Sequence, residues 1–320
     1  MPDKEMRMLR AGPPKTQRPI MLAIAGDSAA GKTTLTQGLV QALGPDRATA
    51  VCVDDYHRYD RAERKELPFT ALHPDCNYMD IMEQHLQLLA MGQPILKPVY
   101  DHDTGLLARP ELVQPGDFVI VEGLLPLFSK LARACFDVTV YLDPPEEIRR
   151  KWKISRDTGS RGYSAEAVDK EMASREPESA EFIRPQRQRA DIVVRFAPIA
   201  TRTDPPETPL SAELLLRPTI RHPDLTGVLA DEDHRSMHLK LIRDEDGRPV
   251  DALHVHGYAS QEESDMLEKA IWEALALDVP RPDSLGMLGE DKRSAPLAIS
   301  QLLLLYHLLD FSAAQPEPAG

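Results

Sequence analysis

Up to about residue 200, short apolar runs alternate with longer amphipathic stretches. The runs at residues 20–25 (IMLAIA), 50–53 (AVCV), 118–121 (FVIV), 138–142 (VTVYL) and 192–194 (IVV) predict strands, several of them continuous enough to be buried on both faces of a parallel sheet. Between them the spacing becomes helical. Met82, Leu86 and Leu89 share one face, Asp80 with Glu83 has the spacing of a capping box, and Gly92 closes that helix. Pro144 and Pro145 followed by Glu146 and Glu147 supply the N-terminal chemistry of a helix running toward Asp157. This alternation predicts an α/β fold with a doubly wound, mostly parallel sheet. Farther on the pattern is less regular: residues 211–216 and 238–242 are strand-like, 261–277 helical, and 295–309 a second apolar helix. His254 and His256 would share a strand face, with no third metal ligand indicated, so they are expected to be surface or core histidines.

A proline-dense segment at residues 197–209 (APIATRTDPPETP) has no apolar periodicity and marks a connection between two units. The chain carries 51 Asp and Glu against 38 Lys and Arg, a net charge of −13, which argues against a general nucleic-acid binder. That charge is unevenly placed. Residues 1–200 hold 27 basic and 29 acidic side chains, residues 201–320 hold 11 and 22, so the acidity belongs to the C-terminal third. Three cysteines without a C-x-x-C pair argue against a disulfide framework or thiolate zinc site and suit the reducing cytoplasm. The longest apolar stretch, 297–309, is interrupted by Ser300, Gln301 and His307 and fits a buried helix better than a membrane span. The N-terminus has charge and proline but no apolar core of a signal peptide.

The segment GDSAAGKT fits G-x-x-x-x-G-K-[ST], directly follows the first apolar run and leads into a helical stretch. It comprises Gly26, Asp27, Ser28, Ala29, Ala30, Gly31, Lys32 and Thr33, with Thr34 beginning the helical continuation. Its chemistry follows from its shape. A glycine-rich curl turns successive N–H groups toward phosphate oxygens, Lys32 reaches the β and γ phosphates of ATP, and the Thr33 hydroxyl ligates Mg²⁺. Glu122, delivered by a buried strand just before Gly123, is the candidate carboxylate partner of that metal. A P-loop kinase domain is therefore expected at 19–198, after a flexible lead-in at 1–18. A proline-rich connection at 199–210, an acidic α+β extension at 211–312 and a flexible tail at 313–320 complete the expected organisation.

Two basic islands bear on the phosphoryl acceptor. The second strand runs into Asp54, Asp55, Tyr56, His57 and Arg58, with Arg61, Arg64 and Lys65 beyond. A carboxylate at that strand end lies on the side of the phosphate loop and can take a hydroxyl proton, while Arg and His can hold an anionic group on the acceptor. The other island, on the helix after the fourth strand, places Lys153 and Arg156 at i, i+3 and Asp157 at i+4, with Arg161 and Gly162 following. It suits a lid that brings cations to the transferring phosphoryl group.

Together, GDSAAGKTT, VDDYHRYDR with RKE, TALHPDCNYMD, KPVYDHDTGLL, VIVEGLLPLF, YLDPPEEIRRKWKISRDTGSRG and IRPQRQRADIVV resemble the phosphoribulokinase family, over about residues 20–196. That family sits within a wider group of P-loop kinases that includes uridine kinase. The resemblance implies ATP-dependent phosphorylation of D-ribulose 5-phosphate at its C1 hydroxyl, with Asp54 as the base. It implies a catalytic set of Asp54, Lys32, Lys153, Arg156 and Asp157, metal contacts through Thr33 and Glu122, and substrate contacts from His57, Arg61, Tyr100, His102 and Arg161. The expected partners are a small sugar phosphate and a second copy of the chain, with no nucleic acid and no membrane.

Two departures matter, a modest one at Cys76, which replaces the usual small residue of the TALHPDC segment, and one at the phosphate loop. In the plant and cyanobacterial pattern a cysteine precedes the Gly-Lys of the phosphate loop and pairs with a second one near the DDYH segment. Here Ala30 stands at the first position and Cys52 at the second, so redox control through that pair is not expected, and Cys52 is expected to be a buried strand residue. A uridine kinase is the enzymatic alternative, since Tyr100 and Asp101 complete a K-P-x-Y-D element, but the HDTGLL that follows lacks the uridine-kinase F-x-x-H-x-R continuation. A non-catalytic ATP-binding regulator is the other alternative. The presence of Lys32, Asp54 and Glu122 speaks against it.

Overall fold

The structure, a computed structural model, describes residues 18–160, 162–205, 207–230, 236–275, 281–289 and 292–314. Along the chain come β1 (Ile20–Gly26), α1 (Lys32–Leu43), β2 (Ala48–Cys52), α2 (Met79–Ala90), β3 (Ile95–Tyr100), β4 (Leu107–Val113), β5 (Phe118–Gly123), α3 (Lys130–Arg133), β6 (Val138–Leu142), α4 (Glu146–Ser160) and α5 (Ala165–Glu178). The remainder contributes β7 (Ile192–Ala197), β8 (Ser211–Leu216), α6 (Thr226–Ala230), β9 (Met237–Arg243), β10 (Pro249–Val255), α7 (Gln261–Ala274) and α8 (Ala295–Ala313).

Every residue of β1, β5 and β6 is buried, as their uninterrupted apolar runs require of strands covered on both faces. These strands form the middle of an eight-stranded sheet with the order β2-β5-β1-β6-β7-β8-β10-β9, while β3 and β4 pair apart as a two-stranded ribbon. From β2 to β7 the pairing is parallel, and β8, β10 and β9 add antiparallel strands. The expected strands are present, several of them longer than expected by one to three residues, and β2 stops short. Val53 leaves β2 and opens a 3₁₀ turn, Val53–Tyr56. The capping box expected from Asp80 and Glu83 does not form, because the cap falls two residues earlier, at Tyr78, and α2 starts at Met79. Asp80 then lies in the first turn, where a negative charge favours the helix dipole. The β3–β4 ribbon and the helices α3, α5 and α6 are additional to the elements read from the sequence, and β10 gives bounds to the strand expected only around His254. β4 is exposed along nearly its whole length, so no alternation of apolar and polar residues announced it.

The described residues between 211 and 312 continue the same sheet and share its core. Leu214, Leu253, Leu267 and Leu302 belong to the same buried cluster as Ile20, Leu35 and Val140. α8 is buried nearly all round, which is why its apolar residues show no one-sided stripe. It is the one helix among the described residues long and apolar enough to cross a membrane, and most of it is packed inside the protein. Gln301 of α8 is fully buried. Its Nε2 lies 3.4 Å from the Thr34 and Leu35 carbonyl oxygens of α1, and its Oε1 accepts from the Gly286 N–H at 2.7 Å. This close approach needs a glycine opposite, since a Cβ on Gly38 would lie 2.0 Å from Gln301 Nε2.

A buried ionic cluster fastens the parallel half of the sheet to the antiparallel half. Arg187 donates through Nη1 to Asp244 Oδ1 at 2.8 Å and through Nε to Asp143 at 2.9 Å, and Arg217 donates to the other oxygen of Asp244. Arg217 also donates to the Arg187 and Ala190 carbonyls, each at 2.7 Å. Burial alone would raise the Asp244 carboxyl, but hydrogen bonds from Arg217 and Arg187 outweigh it and bring the pKa from 3.8 down to about 2. A carboxyl held lower in the folded state than in the unfolded state adds stability above the unfolded value, and that stability is lost as pH falls through the folded one. Denaturant unfolding measured between pH 5 and pH 2 should therefore show stability falling in the wild type and a flatter profile in Asp244→Asn. An unchanged profile in the variant would show that Asp244 does not carry this dependence.

Candidate functional site

The phosphate loop turns between β1 and α1 through residues with left-handed backbone, Ala29 at φ +62° and Gly31 at φ +96°, and Gly31 caps the helix. The N-terminus of α1 thereby opens onto the loop and favours negative charge there. Lys32 is buried and folded back, donating from Nζ to the Gly26 carbonyl at 3.0 Å and to the Asp27 carbonyl at 2.9 Å. The Asp27 carboxylate accepts from the Ser28 N–H at 2.7 Å and from the Ser179 hydroxyl, and lies 3.4 Å from Arg149.

Sheet register brings the expected metal ligands together. Glu122 stands beside Ile24 of β1 and Cys52 of β2, so three strand ends meet at one edge. The Thr33 hydroxyl donates to Glu122 Oε1 at 3.0 Å and lies 3.3 Å from Oε2. Burial raises the Glu122 carboxyl above its ordinary range, with Lys32 and the Thr33 hydroxyl opposing the rise. A buried carboxylate beside a hydroxyl, at the mouth of a phosphate loop, is an oxygen-donor pair that fits Mg²⁺, which takes its other ligands from phosphate and water. Cys52 closes β2 half-buried and not fully buried as expected; the cover it has and the neighbouring Asp54 and Glu122 carboxylates still push its thiol well above the usual range, so it stays protonated.

Asp54 sits in the 3₁₀ turn just beyond β2. One of its carboxylate oxygens is buried without a hydrogen-bond partner, an arrangement uncommon in a folded chain. It lines a recess with Tyr56, Asn77, Met79 and Leu124. The adjacent Asp55 is differently used: it accepts from the Tyr100 N–H at 3.0 Å and pairs with buried Lys97, anchoring the turn to β3. Gly123, at φ +151°, leaves room for the turn, since a Cβ there would fall 2.1 Å from Val53 Cγ2 and 3.2 Å from Asp54 Oδ1.

The β3–β4 ribbon gathers the expected acceptor-side residues. Arg61 donates to the His102 and Asp103 carbonyls, and its own N–H reaches the Gly105 carbonyl at 2.8 Å. The Tyr100 ring meets His57 edge-on at 4.9 Å and His102 at 5.0 Å, while the Arg64 guanidinium lies 4.7 Å over its centre. His57 differs from the expected cationic contact. Burial lowers its pKa to about 4, so it is neutral at physiological pH. The Asn77 amide nitrogen donates to the Ala71 and His73 carbonyls, which turns Asn77 Oδ1 toward His57 Nδ1 at 2.7 Å. His57 therefore carries its proton on Nδ1 and offers Nε2 as an acceptor, suited to a hydroxyl donor and not to an anion.

On α4, Lys153 is 2% exposed and pairs with Asp157 at 3.0 Å, and Arg156 donates to the other Asp157 oxygen at 2.8 Å. Although burial disfavours its charge, these two cations hold the Asp157 carboxyl below its ordinary range. Lys153 lines a recess with Asp27, Ser28 and Arg149, which places it at the phosphate loop. Arg161 lies outside the described residues. No local pattern marks Lys97, Asn77 or Ser179, whose partners lie 42, 20 and 152 residues away. His254 and His256 do share a face, and His238 of β9 joins them, its Nδ1 3.0 Å from His256 Nε2. No group of three or more His, Cys, Asp or Glu among the described residues is arranged to hold a metal ion.

A family model described as phosphoribulokinase / uridine kinase family matches residues 21–201. The chain is 41% identical over 181 residues to phosphoribulokinase from Synechocystis sp., spanning 57% of this chain and 54% of that protein. It is 31% identical to a uridine kinase from Chloroflexus aurantiacus over 55% of this chain and 86% of that protein. A solved phosphoribulokinase from Rhodobacter spheroides shares the fold with a TM-score of 0.57 at 18% identity, covering 81% of this chain and 99% of that one. The chain spans about half the length of the curated phosphoribulokinases it matches.

The Gly123 contact can be tested directly. Gly123→Ala should destabilise the protein by about 1–3 kcal/mol through overpacking, and Val53→Ala in the same chain should restore part of the loss. Equal stability of Gly123→Ala and wild type in denaturant unfolding would refute the close approach.

Proposed function

The chain belongs to the phosphoribulokinase / uridine kinase family, and on that premise we propose that it transfers the γ-phosphoryl group of ATP to the C1 hydroxyl of D-ribulose 5-phosphate. The products are D-ribulose 1,5-bisphosphate and ADP, a step of the reductive pentose phosphate cycle. The observation that carries this reading is the buried, unpartnered oxygen of Asp54, held by Gly123 next to the strand end that delivers Glu122 to the phosphate loop. A carboxylate so placed accepts the C1 hydroxyl proton as the oxygen attacks the γ phosphorus and the bond to ADP breaks. Asp55 keeps the turn in place through Lys97 and the Tyr100 N–H, so the base is presented without being spent on a structural bond.

When nucleotide enters, Lys32 exchanges its bonds to the loop carbonyls for the phosphates, at the open N-terminus of α1. Thr33 and Glu122 would hold Mg²⁺, which neutralises phosphate charge when bound. On the acceptor side, Arg61 and Arg64 supply positive charge for the 5-phosphate, and neutral His57 accepts from a hydroxyl. Two guanidinium groups there favour a phosphorylated acceptor over a neutral nucleoside, the substrate class named by the Chloroflexus relative. Arg156, with Arg161 beyond it, is assigned to the moving phosphoryl group, and Lys153 with Asp157 to the same cleft. The three cysteines are free thiols, in keeping with a cytoplasmic location.

Asp54→Asn should lower turnover by about 10²–10⁴-fold, the usual contribution of a general base, while the KM for ATP changes little. ³¹P NMR of the wild-type product should show two phosphomonoester signals. Near-normal turnover in the variant, or transfer to a position other than C1, would refute the assignment of the base.

A further inference from the structure

We propose that Glu178 and Ser179, adjacent in sequence, are positioning residues that couple the acceptor loop to the phosphate loop, so that filling one half of the site favours binding in the other. The inference rests on the kinase reading above and assigns to that site a coupling element which none of its motifs contains.

Each of the two residues holds a different loop. Glu178 accepts from the Thr70 N–H, at 2.8 Å to Oε1 and 3.1 Å to Oε2, and from the Thr70 hydroxyl. Ser179, only 2% exposed, donates its hydroxyl to the buried Asp27 carboxylate. Their helical setting explains the divergence, because successive residues on a helix point about 100° apart. α5 ends at Glu178, and Ser179 opens a π-helical segment, Ser179–Ile183, just after Pro177. Pro177 has no N–H to give to the helix, and wide π turns of this kind recur at functional sites.

From Thr70 the contacts lead directly to the acceptor side. The Leu72 N–H reaches the Thr70 hydroxyl at 3.2 Å, and Asn77 donates to the Ala71 and His73 carbonyls while it accepts from His57. The π segment also packs on this loop: Ile183 clusters with Leu72, Leu124 and Leu125, and Phe182 meets the His73 ring at 4.8 Å. From Asp27 the contacts lead the other way, to the Ser28 N–H and to Arg149. Movement of either loop on binding is thus felt at the other through one dipeptide. Loss of the Ser179 hydroxyl would leave a buried carboxylate oxygen short of a donor, and loss of the Glu178 carboxylate would do the reverse at Thr70.

The test is calorimetric titration of the full chain with a non-hydrolysable ATP analogue and Mg²⁺, with and without saturating ribulose 5-phosphate. In the wild type the sugar phosphate should tighten analogue binding by about fivefold or more, the lower end of ordinary coupling between sites. In Glu178→Ala and in Ser179→Ala that factor should fall to near one, with no further fall in the double variant, since the two residues act as a unit. Thr70→Val, which changes only the loop partner, should reduce the factor by at least about half even if a variant of the helix fails to fold. A wild-type factor near one, or an unchanged factor in any folded variant, overturns the coupling. Turnover is read in parallel: ribulose 5-phosphate turnover with unaltered coupling in the variants defeats this inference alone. Absence of that turnover defeats the acceptor assignment, and the same titration is then read with uridine.

Discussion

The site depends first on the parallel register of β1 with β5 and of β5 with β2. Because the strands run the same way, their C-terminal ends lie on one edge, and register alone sets Glu122 beside Ile24 and Cys52. Slipping one residue would turn Glu122 to the other face of the sheet and away from Thr33. Burial of every residue of β5, from Phe118 to Gly123, forbids that slip, because it would push a carboxylate into the apolar layer. The hydrophobic core thus fixes the position of the polar edge. The Thr33–Glu122 hydrogen bond and the placement of Asp54 over Gly123 are consequences of it.

A second constraint comes from the C-terminal third. Gln301 of α8 reaches the first turn of α1, and Gly38 makes room for it, so the helix that carries the phosphate loop is braced by a segment far along the chain. The Arg187–Asp244–Arg217 cluster performs a similar service where the sheet changes from parallel to antiparallel. Such buried ion pairs contribute little net stability while intact, yet removing one member strands a charge and costs about 3–5 kcal/mol. The described residues of the acidic third therefore belong to the core architecture and brace the phosphate-loop helix from behind.

What could be read in the sequence was whatever is local. Apolar runs at 20–25, 118–121 and 138–142 were visible because strands buried on both faces leave no alternation, and the phosphate loop was visible because its glycines, lysine and threonine lie within eight positions. Pairings that cross long stretches of chain left no trace: Asp55 with Lys97, Asn77 with His57, Thr70 with Glu178. β4 leaves no trace for a related reason, since an exposed strand held by one neighbour needs no hydrophobic period. His57 shows how burial changes chemistry that residue identity suggests. The side chain expected to carry positive charge is neutral because it is enclosed, and Asn77 fixes which nitrogen bears the proton.

If Asp54 and the phosphate loop serve one phosphorylated sugar, release of ADP must depend on that sugar. The most direct measurement is coupled ADP release by the purified protein with MgATP and either ribulose 5-phosphate, uridine or no acceptor. The rate with ribulose 5-phosphate should exceed both others by at least about tenfold, a barrier difference of about 1.4 kcal/mol. Equal rates in all three would leave only ATP hydrolysis or binding, and a higher rate with uridine would transfer the acceptor site to a nucleoside.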